Sequence, residues 1–319
     1  MTAKAAGVAF GVLLTAGCAH HPALIAPALS ESTRPVVELT DTPFFPQRDY
    51  QCGPAALATV LVASGVDVTA DELVSRVYLP GRKGSLQVEL LAASRSFDRL
   101  PYPLESSLSS LLSEIADRHP VLVLQNLGLE SVPIWHYAVV VGFDADTDRL
   151  ILRSGTNQRV EMSARRFMSS WKRAGSWAIV VLEPQLLPAV AERARYLEAA
   201  AGLEAARRHD AAARAYRAAL QRWPEDTTAQ LGIGNVSYAR GDLSGAESAY
   251  RAVLRIDPAH AIARNNLAQT LLDRGDPQAA LEEISAARAA LRDPRFAPLL
   301  AETETAIRRA LQSPERQSQ

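Results

Sequence analysis

The second half of the chain repeats itself with a period of 34 residues. The segment AAARAYRAALQRWPED aligns with SGAESAYRAVLRIDPAH, so that Tyr216 matches Tyr250 and Pro224 matches Pro258. From about Ala189 onwards Ala, Arg, Leu and Glu dominate, and β-branched residues become rare. A fixed period of this length in a helix-forming composition predicts stacked pairs of helices. The second half of the chain is therefore interpreted as a helical-repeat module.

The small, aromatic and proline residues of each unit resemble the tetratricopeptide repeat. The positions that fit its signature are Gly234, Tyr238, Ala246, Tyr250 and Pro258. A third unit begins near Ala261, and the last run, APLLAETETAIRRALQ, predicts a capping helix. The resemblance implies an all-α solenoid over residues 189–312, whose concave face commonly binds a protein partner.

Length and charge restrict the class of protein further. The chain has 319 residues, which predicts two domains with cores of ordinary size. Acidic and basic side chains nearly cancel, at a formal net charge of −1. Because nucleic-acid binding needs a concentrated positive surface, this balance argues against DNA or RNA as a partner.

The first stretch, MTAKAAGVAFGVLLTAGC, has the pattern of a signal peptide. One charge, at Lys4, precedes an apolar run that is too short to span a bilayer comfortably, and small residues follow. Because Ala16 and Gly17 directly precede Cys18, the stretch resembles the lipobox of bacterial lipoproteins, which implies cleavage before Cys18 and lipidation of its thiol. An ordinary cleaved signal and an uncleaved membrane anchor are the alternatives. All three predict export.

Residues 1–17 are thus interpreted as a signal peptide and residues 18–42, rich in Pro, Ala, Ser and Thr, as a lipidated tether. Ala19 stands where an inner-membrane retention signal tends to have Asp, which favours the outer membrane, facing the periplasm. With Cys18 acylated, Cys52 has no partner for an intramolecular disulfide. A free thiol is unusual in an exported protein unless the thiol itself has a function.

Residues 43–184 predict an α+β domain in which the helices precede an antiparallel sheet. QCGPAALATVLVASG and SLSSLLSEIADRH have helical spacing, and a further helix follows the capping-box pair Thr69 and Glu72. The runs VLVLQN, WHYAVVVGFD, RLILRSG, RVEMS and SWAIVVLE predict strands, with the helical ARRFMSSWKR before the last one. Asp144 and Asp146 are interpreted as residues of a hairpin turn.

Cys52 and His136 are the candidate catalytic pair. Cys52 is expected at a helix N-terminus, where the helix dipole and free backbone N–H groups favour a thiolate. A base must also protonate the leaving amine, and His136 opens an apolar strand that would hold it rigidly. The remaining histidines lie in the tether, in the repeats or, as His119, at a predicted helix end where a capping role is favoured.

Two segments, FPQRDYQCGPAALATVL and WHYAVVVGFD, resemble the papain-like cysteine peptidases of the bacteriocin-processing, double-glycine leader type in their stand-alone form. The resemblance covers about residues 43–184. It implies that Cys52 is the nucleophile, that His136 is its base, and that Gln47 donates a side-chain hydrogen bond to the oxyanion. Gln51 is the competing candidate for that donor.

The same resemblance implies a third catalytic residue, an Asp or Asn at the end of the strand after the histidine strand. This chain has Ser154 at that place and Asn157 three residues later. Ser154 would accept the ring N–H less strongly than a carboxylate, whereas Asn157 would need its loop to fold back. Both remain candidates for the residue that orients His136.

The expected function is that of an exported, lipid-anchored cysteine endopeptidase without cofactor, whose repeats recruit a protein partner or substrate. The spacing of Cys and His predicts no metal site, and GRKGS lacks the spacing of a phosphate-binding loop. Two alternatives share the fold. One is a catalytically weak scaffold, and the other is an amidase or acyltransferase that acts on cell-wall material.

Overall fold

A computed structural model describes residues 22–312 of the chain. Within this range an α+β domain with an antiparallel sheet is followed by a region that is entirely helical, as the sequence predicted. The predicted signal peptide and Cys18 lie outside the described residues. No helix in the described part of the chain is both long and apolar enough to cross a membrane.

The helices of the first domain surround its sheet. They are α1 (Cys52–Ala63), α2 (Ala70–Val77), α3 (Gln87–Ser96), α4 (Leu108–Ala116) and α5 (Ala164–Lys172). α1 is apolar on all sides, and its residues from Gly53 to Leu61 are all buried. A helix of this kind belongs inside the domain rather than on its surface. Thr69 and Glu72 form the predicted capping box at the start of α2.

Seven strands form one antiparallel sheet within residues 22–312. They are β1 (Val36–Glu38), β2 (Leu100–Pro103), β3 (Val121–Asn126), β4 (Trp135–Asp144), β5 (Arg149–Ser154), β6 (Asn157–Ser163) and β7 (Ala178–Leu182). Their spatial order is β2-β7-β3-β4-β5-β6, and β1 pairs with the last residues of β4, beyond the part that pairs with β3. The first residues of β4 and the last residues of β5 therefore lie near each other at the same end of these two strands.

The expectation that residues 18–42 form a tether is wrong for its described part. Ile25 is fully buried, and the backbone N–H groups of Leu24 and Ile25 donate to Oδ1 of Asp148 at 2.8 and 2.9 Å. β1 lies within the same stretch. The apolar runs of this stretch are too short to show a period, and their burial comes from contacts with α4, β4 and the turn after β4.

The helical region consists of three pairs and a final helix. They are α6 (Arg193–Ala205), α7 (His209–Arg222), α8 (Thr227–Ala239), α9 (Leu243–Ile256), α10 (Ala261–Asp273), α11 (Pro277–Ala290) and α12 (Ala297–Gln312). A Cβ atom at Gly234 would collide with the ring of Tyr250, so the helix pair can approach this closely only with glycine there. α12 coincides with the predicted capping helix.

The core of the first domain continues into the repeats. A single hydrophobic cluster extends from Ile25 to Val236, and a second one fills the space between α9, α10, α11 and α12. At the junction the rings of Tyr102 and Tyr196 lie 6.5 Å apart, and the Tyr102 hydroxyl accepts a hydrogen bond from the N–H of Glu192 at 3.0 Å. The first repeat is thus packed against β2 as part of one body.

Candidate active site

Cys52 is the first residue of α1, at the end of the helix where backbone N–H groups are unpaired. The N–H groups of Tyr137, Gly53 and Cys52 itself point to its sulfur. Tyr137 directly follows His136 in β4, so the thiol lies against the peptide bond that joins the candidate base to the next residue. A side chain at Gly53 would collide with Ser85, which makes glycine necessary next to the thiol.

Burial outweighs the helix position in setting the state of this thiol. Desolvation raises the pKa of Cys52 above its ordinary value, while the three backbone N–H groups lower it by less. The sequence suggested that the helix N-terminus alone would favour a thiolate. Cys52 is instead partly buried, and the loss of solvent there favours the neutral thiol.

His136 is the second residue of β4 and is only 9 % exposed. Its Nε2 lies 2.8 Å from Oγ of Ser154, the last residue of β5. Burial lowers the pKa of His136, which keeps the imidazole neutral at physiological pH. With Nε2 held by Ser154, Nδ1 is the ring nitrogen left for proton exchange.

The two candidates for the third catalytic residue occupy different positions. Ser154 contacts the ring of His136 directly. Asn157 is the first residue of β6, pairs with Ser154 across the turn and has an exposed side chain. The geometry therefore favours Ser154 as the residue that orients the imidazole.

The candidates for the oxyanion donor also separate in space. Gln47 and Cys52 line the same groove. The backbone N–H of Gln47 donates to the carbonyl of Gly155 at 3.1 Å. Its side-chain Oε1 is buried and has no hydrogen-bond partner among the described residues. Gln51 occupies the N-cap position of α1 and makes no side-chain cap bond. Gln47 is thus the amide that faces the space in front of the thiol.

Arg153 was not singled out from the sequence, yet it holds the loop that leads to Gln47. Its guanidinium is 5 % exposed and donates to the carbonyls of Thr40, Thr42 and Gln158 at 2.9–3.4 Å. Burial lowers its pKa, and Glu38 partly opposes this effect. The sequence signal for a structural role of Arg153 is its place directly after the apolar residues of a strand, where a buried charge needs hydrogen-bond acceptors.

A groove of about 880 Å³ runs in front of the candidate residues. Gln47, Cys52 and His136 all line it. Its walls include the exposed apolar side chains Leu127, Ile134 and Trp135 and the basic residues Arg82 and Lys83. A cleft of this size accommodates a peptide segment.

Two further histidines of the described residues, His119 and His260, have structural contacts. Nδ1 of His119 lies 2.9 Å from Oε2 of the fully buried Glu114, and the ring does not cap a helix as expected. His260 caps α10 by accepting the N–H of Ala263. Among residues 22–312 no cluster of His, Cys, Asp and Glu could hold a metal ion.

Residues 39–179 match the Peptidase_C39 like family, and residues 197–261 and 237–302 match two families described as Tetratricopeptide repeat. No curated protein matches.

Three of the solved structures to which parts of this chain are similar each cover less than half of it. A putative C39-like peptidase from Bacillus anthracis has 18 % identity and a TM-score of 0.39, and covers 46 % of this chain and 97 % of its own. The peptidase domain of Streptococcus ComA has 22 % identity and a TM-score of 0.37, and covers 44 % and 98 %. The Yersinia enterocolitica chaperone SycD, in complex with a peptide of the translocator YopD, has 18 % identity and a TM-score of 0.36, and covers 38 % and 92 %. From the family matches, the chain contains a C39-like peptidase domain followed by tetratricopeptide repeats.

Proposed function

We propose that this protein is an exported, lipid-anchored cysteine peptidase whose repeats recruit a protein partner or substrate. One observation carries the proposal. Cys52 lies at the start of a buried helix and lines the same groove as His136, whose ring is held by Ser154. Nucleophile, base and orienting group are the parts that thiol-dependent acyl transfer needs.

The reaction follows from these positions. As the sulfur of Cys52 attacks the peptide carbonyl carbon, Nδ1 of His136 takes the thiol proton, and the oxyanion accepts hydrogen bonds from the side-chain amide of Gln47 and the N–H of Cys52. The C–N bond breaks while His136 returns the proton to the leaving amine. Water then hydrolyses the thioester with His136 as the base, which restores the thiol.

The substrate class is tested by offering two polymers side by side. We expect peptides that contain Gly-Gly to be cleaved by the wild-type chain and to remain intact with Cys52→Ala, because the resemblance to double-glycine leader peptidases implies that bond. Purified peptidoglycan is the second substrate. Loss of bonds in peptidoglycan alone would instead support the amidase or acyltransferase alternative.

A catalytically weak scaffold is the second candidate function. Two observations favour it: Ser154 occupies the place of a carboxylate or amide, and burial raises the pKa of Cys52. A hydroxyl stabilises an imidazolium less than an anion does, and loss of the orienting carboxylate can reduce kcat by orders of magnitude. Peptide cleavage that is equal in wild type and Cys52→Ala would support the scaffold.

Lipid anchoring at Cys18 is supported by the lipobox-like sequence before it. We expect globomycin, an inhibitor of lipoprotein signal cleavage, to cause accumulation of a larger precursor in the producing bacterium. Fractionation then locates the mature protein, for which we propose the outer membrane facing the periplasm. An unchanged size under globomycin would contradict lipidation and leave an ordinary signal peptide.

A further inference from the structure

The helical repeats enclose a groove of about 430 Å³ that is separate from the candidate active site. α8 contributes Asn235 and Tyr238, α10 contributes Asn265, Asn266 and Gln269, and α12 closes one side with Leu299, Glu302 and Thr303. The inference below rests on the proposed recruiting role of the repeats and specifies the chemistry of the partner.

Side-chain amides form the floor of this groove. Oδ1 of Asn235 accepts hydrogen bonds from the Tyr250 hydroxyl and from Nδ2 of Asn266, both at 3.1 Å, and Nδ2 of Asn265 donates to Oδ1 of Asn266 at 3.2 Å. Asn265 is 3 % exposed, and its Oδ1 has no hydrogen-bond partner in the described chain. A buried acceptor without a hydrogen-bond partner destabilises the fold. A ligand N–H can satisfy it, because the terminal torsion of asparagine rotates easily.

The charges at this groove are of one sign. Glu302, which is exposed, is a charged residue that lines the groove. Two further carboxylates adjoin it: Glu204 accepts from Nδ2 of Asn235, and Asp273 accepts from Nε2 of Gln269. No lysine or arginine lines the groove in the described part of the chain.

Two arginines at α10 are engaged in ion pairs. Arg264 pairs with Glu283 and Arg274 pairs with Glu247. Their charges therefore do not neutralise the carboxylates at the groove. A free carboxylate, such as the C-terminus of a peptide, would meet repulsion here.

We propose that this groove binds an extended internal segment of a partner protein that carries a lysine or arginine. The amide side chains of Asn265 and Asn266 bond to the backbone of the segment, and its cation lies at Glu302. Amide groups suit a peptide backbone because they donate and accept, and the carboxylates select the positive side chain.

The test is a selection of random twelve-residue peptides for binding to the full chain, which carries Cys52→Ser to prevent cleavage. Each peptide is displayed between two flanking domains, so that none has a free C-terminus. We expect lysine or arginine to be enriched at one position by about fivefold, the upper limit for one exposed ion pair. Glu302→Gln should remove the enrichment. Glu282→Gln, an exposed carboxylate on α11 outside the groove, is the matched control and should retain it.

The affinity of a selected peptide for variants of Asn265 is then measured by fluorescence anisotropy. Asn265→Leu should weaken binding about tenfold, because it removes the acceptor that a ligand N–H would meet. Selection of acidic or apolar peptides, or an enrichment unaffected by Glu302→Gln, would overturn the basic-segment inference while leaving the recruiting role. A selection that enriches no peptide would overturn both, and neither result bears on the peptidase chemistry of Cys52.

Discussion

At the residue scale, the candidate site combines a thiol whose pKa is raised with an imidazole whose pKa is lowered. Both shifts have burial as their largest cause, so Cys52 and His136 are neutral before substrate binds. We therefore expect the thiol proton to reach His136 only once substrate has bound. This distinguishes the site from one that stores a thiolate–imidazolium pair.

The ionisation of Cys52 can be measured with iodoacetamide on the Cys18→Ser chain, in which Cys52 is the remaining thiol. Because only the thiolate reacts, we expect alkylation at pH 7 to be slower than that of N-acetylcysteine, with a midpoint above the value of about 8.5 for a free cysteine. A plateau of reactivity between pH 5 and 7 that His136→Ala abolishes would show a resting ion pair instead.

Replacement of Ser154 tests its role as the orienting group. Loss of one hydrogen bond in Ser154→Ala should lower kcat/KM about tenfold, and the charge-assisted bond of Ser154→Asp should raise it about tenfold. The carboxylate also raises the pKa of His136, so the acidic limb of the pH profile should move to higher pH. Asn157→Ala is the control. If Asn157→Ala lost activity while Ser154→Ala kept it, Asn157 rather than Ser154 would be the residue that orients His136.

At the element scale, the hairpin of β5 and β6 holds three parts of the site together. Ser154 contacts His136, the carbonyl of Gly155 accepts the N–H of Gln47, and Arg153 binds the carbonyls of Thr40 and Thr42. A small displacement of this hairpin would therefore move the orienting group and the oxyanion donor at once.

Arg153→Met should disturb both stability and the loop before Cys52. The carbonyl of the buried Thr42 and those of Thr40 and Gln158 lose a charged donor, for which we expect a loss of about 3 kcal/mol in the free energy of unfolding, measured in urea. Trypsin should also cut faster at the exposed Arg48 beside Gln47. Arg149→Met, on the same strand but exposed, should change the unfolding free energy by less than about 0.5 kcal/mol. Equal effects of the two variants would contradict this role for Arg153.

The sequence predicted the elements whose periodicity is long, and it missed those that depend on distant contacts. α1, α12 and β4 were predicted because their apolar patterns continue over many residues. β1 has three residues and β2 contains two prolines, so neither has a local strand signal.

For the site, the sequence was enough to propose Cys52, His136 and Gln47 as candidate catalytic residues. It was not enough to choose between Ser154 and Asn157 as the residue that orients His136. That choice depends on the direction of side chains across a turn. The burial that raises the pKa of Cys52 depends on how the sheet covers α1, and no local pattern reports it.

At the scale of the whole molecule, peptidase domain and first repeat share a core. Tyr196 of α6 is fully buried, packs near Tyr102 of β2 and donates its hydroxyl to the carbonyl of Pro184. Arg208 and Asp98 add a two-point ion pair across the same junction. The two domains should therefore unfold together.

Tyr196→Ala tests this coupling. The cavity it leaves should lower the free energy of unfolding by about 4 kcal/mol, and amide hydrogen exchange should accelerate in β7, the neighbour of β2. Tyr238→Ala, which packs against the second hydrophobic cluster, is the control and should leave exchange in β7 unchanged. Faster exchange confined to the repeats in both variants would show that the domains are independent.

The attachment of Leu24 and Ile25 to Asp148 also determines how substrates reach the groove. Asp148 lies in the turn after β4, whereas His136 lies at the start of that strand. At about 3.3 Å per residue, the two ends of β4 are about 30 Å apart. The chain that precedes Leu24 therefore joins the domain at the end remote from the groove. A surface that held the protein through this segment would leave the mouth of the groove open to the surrounding solution.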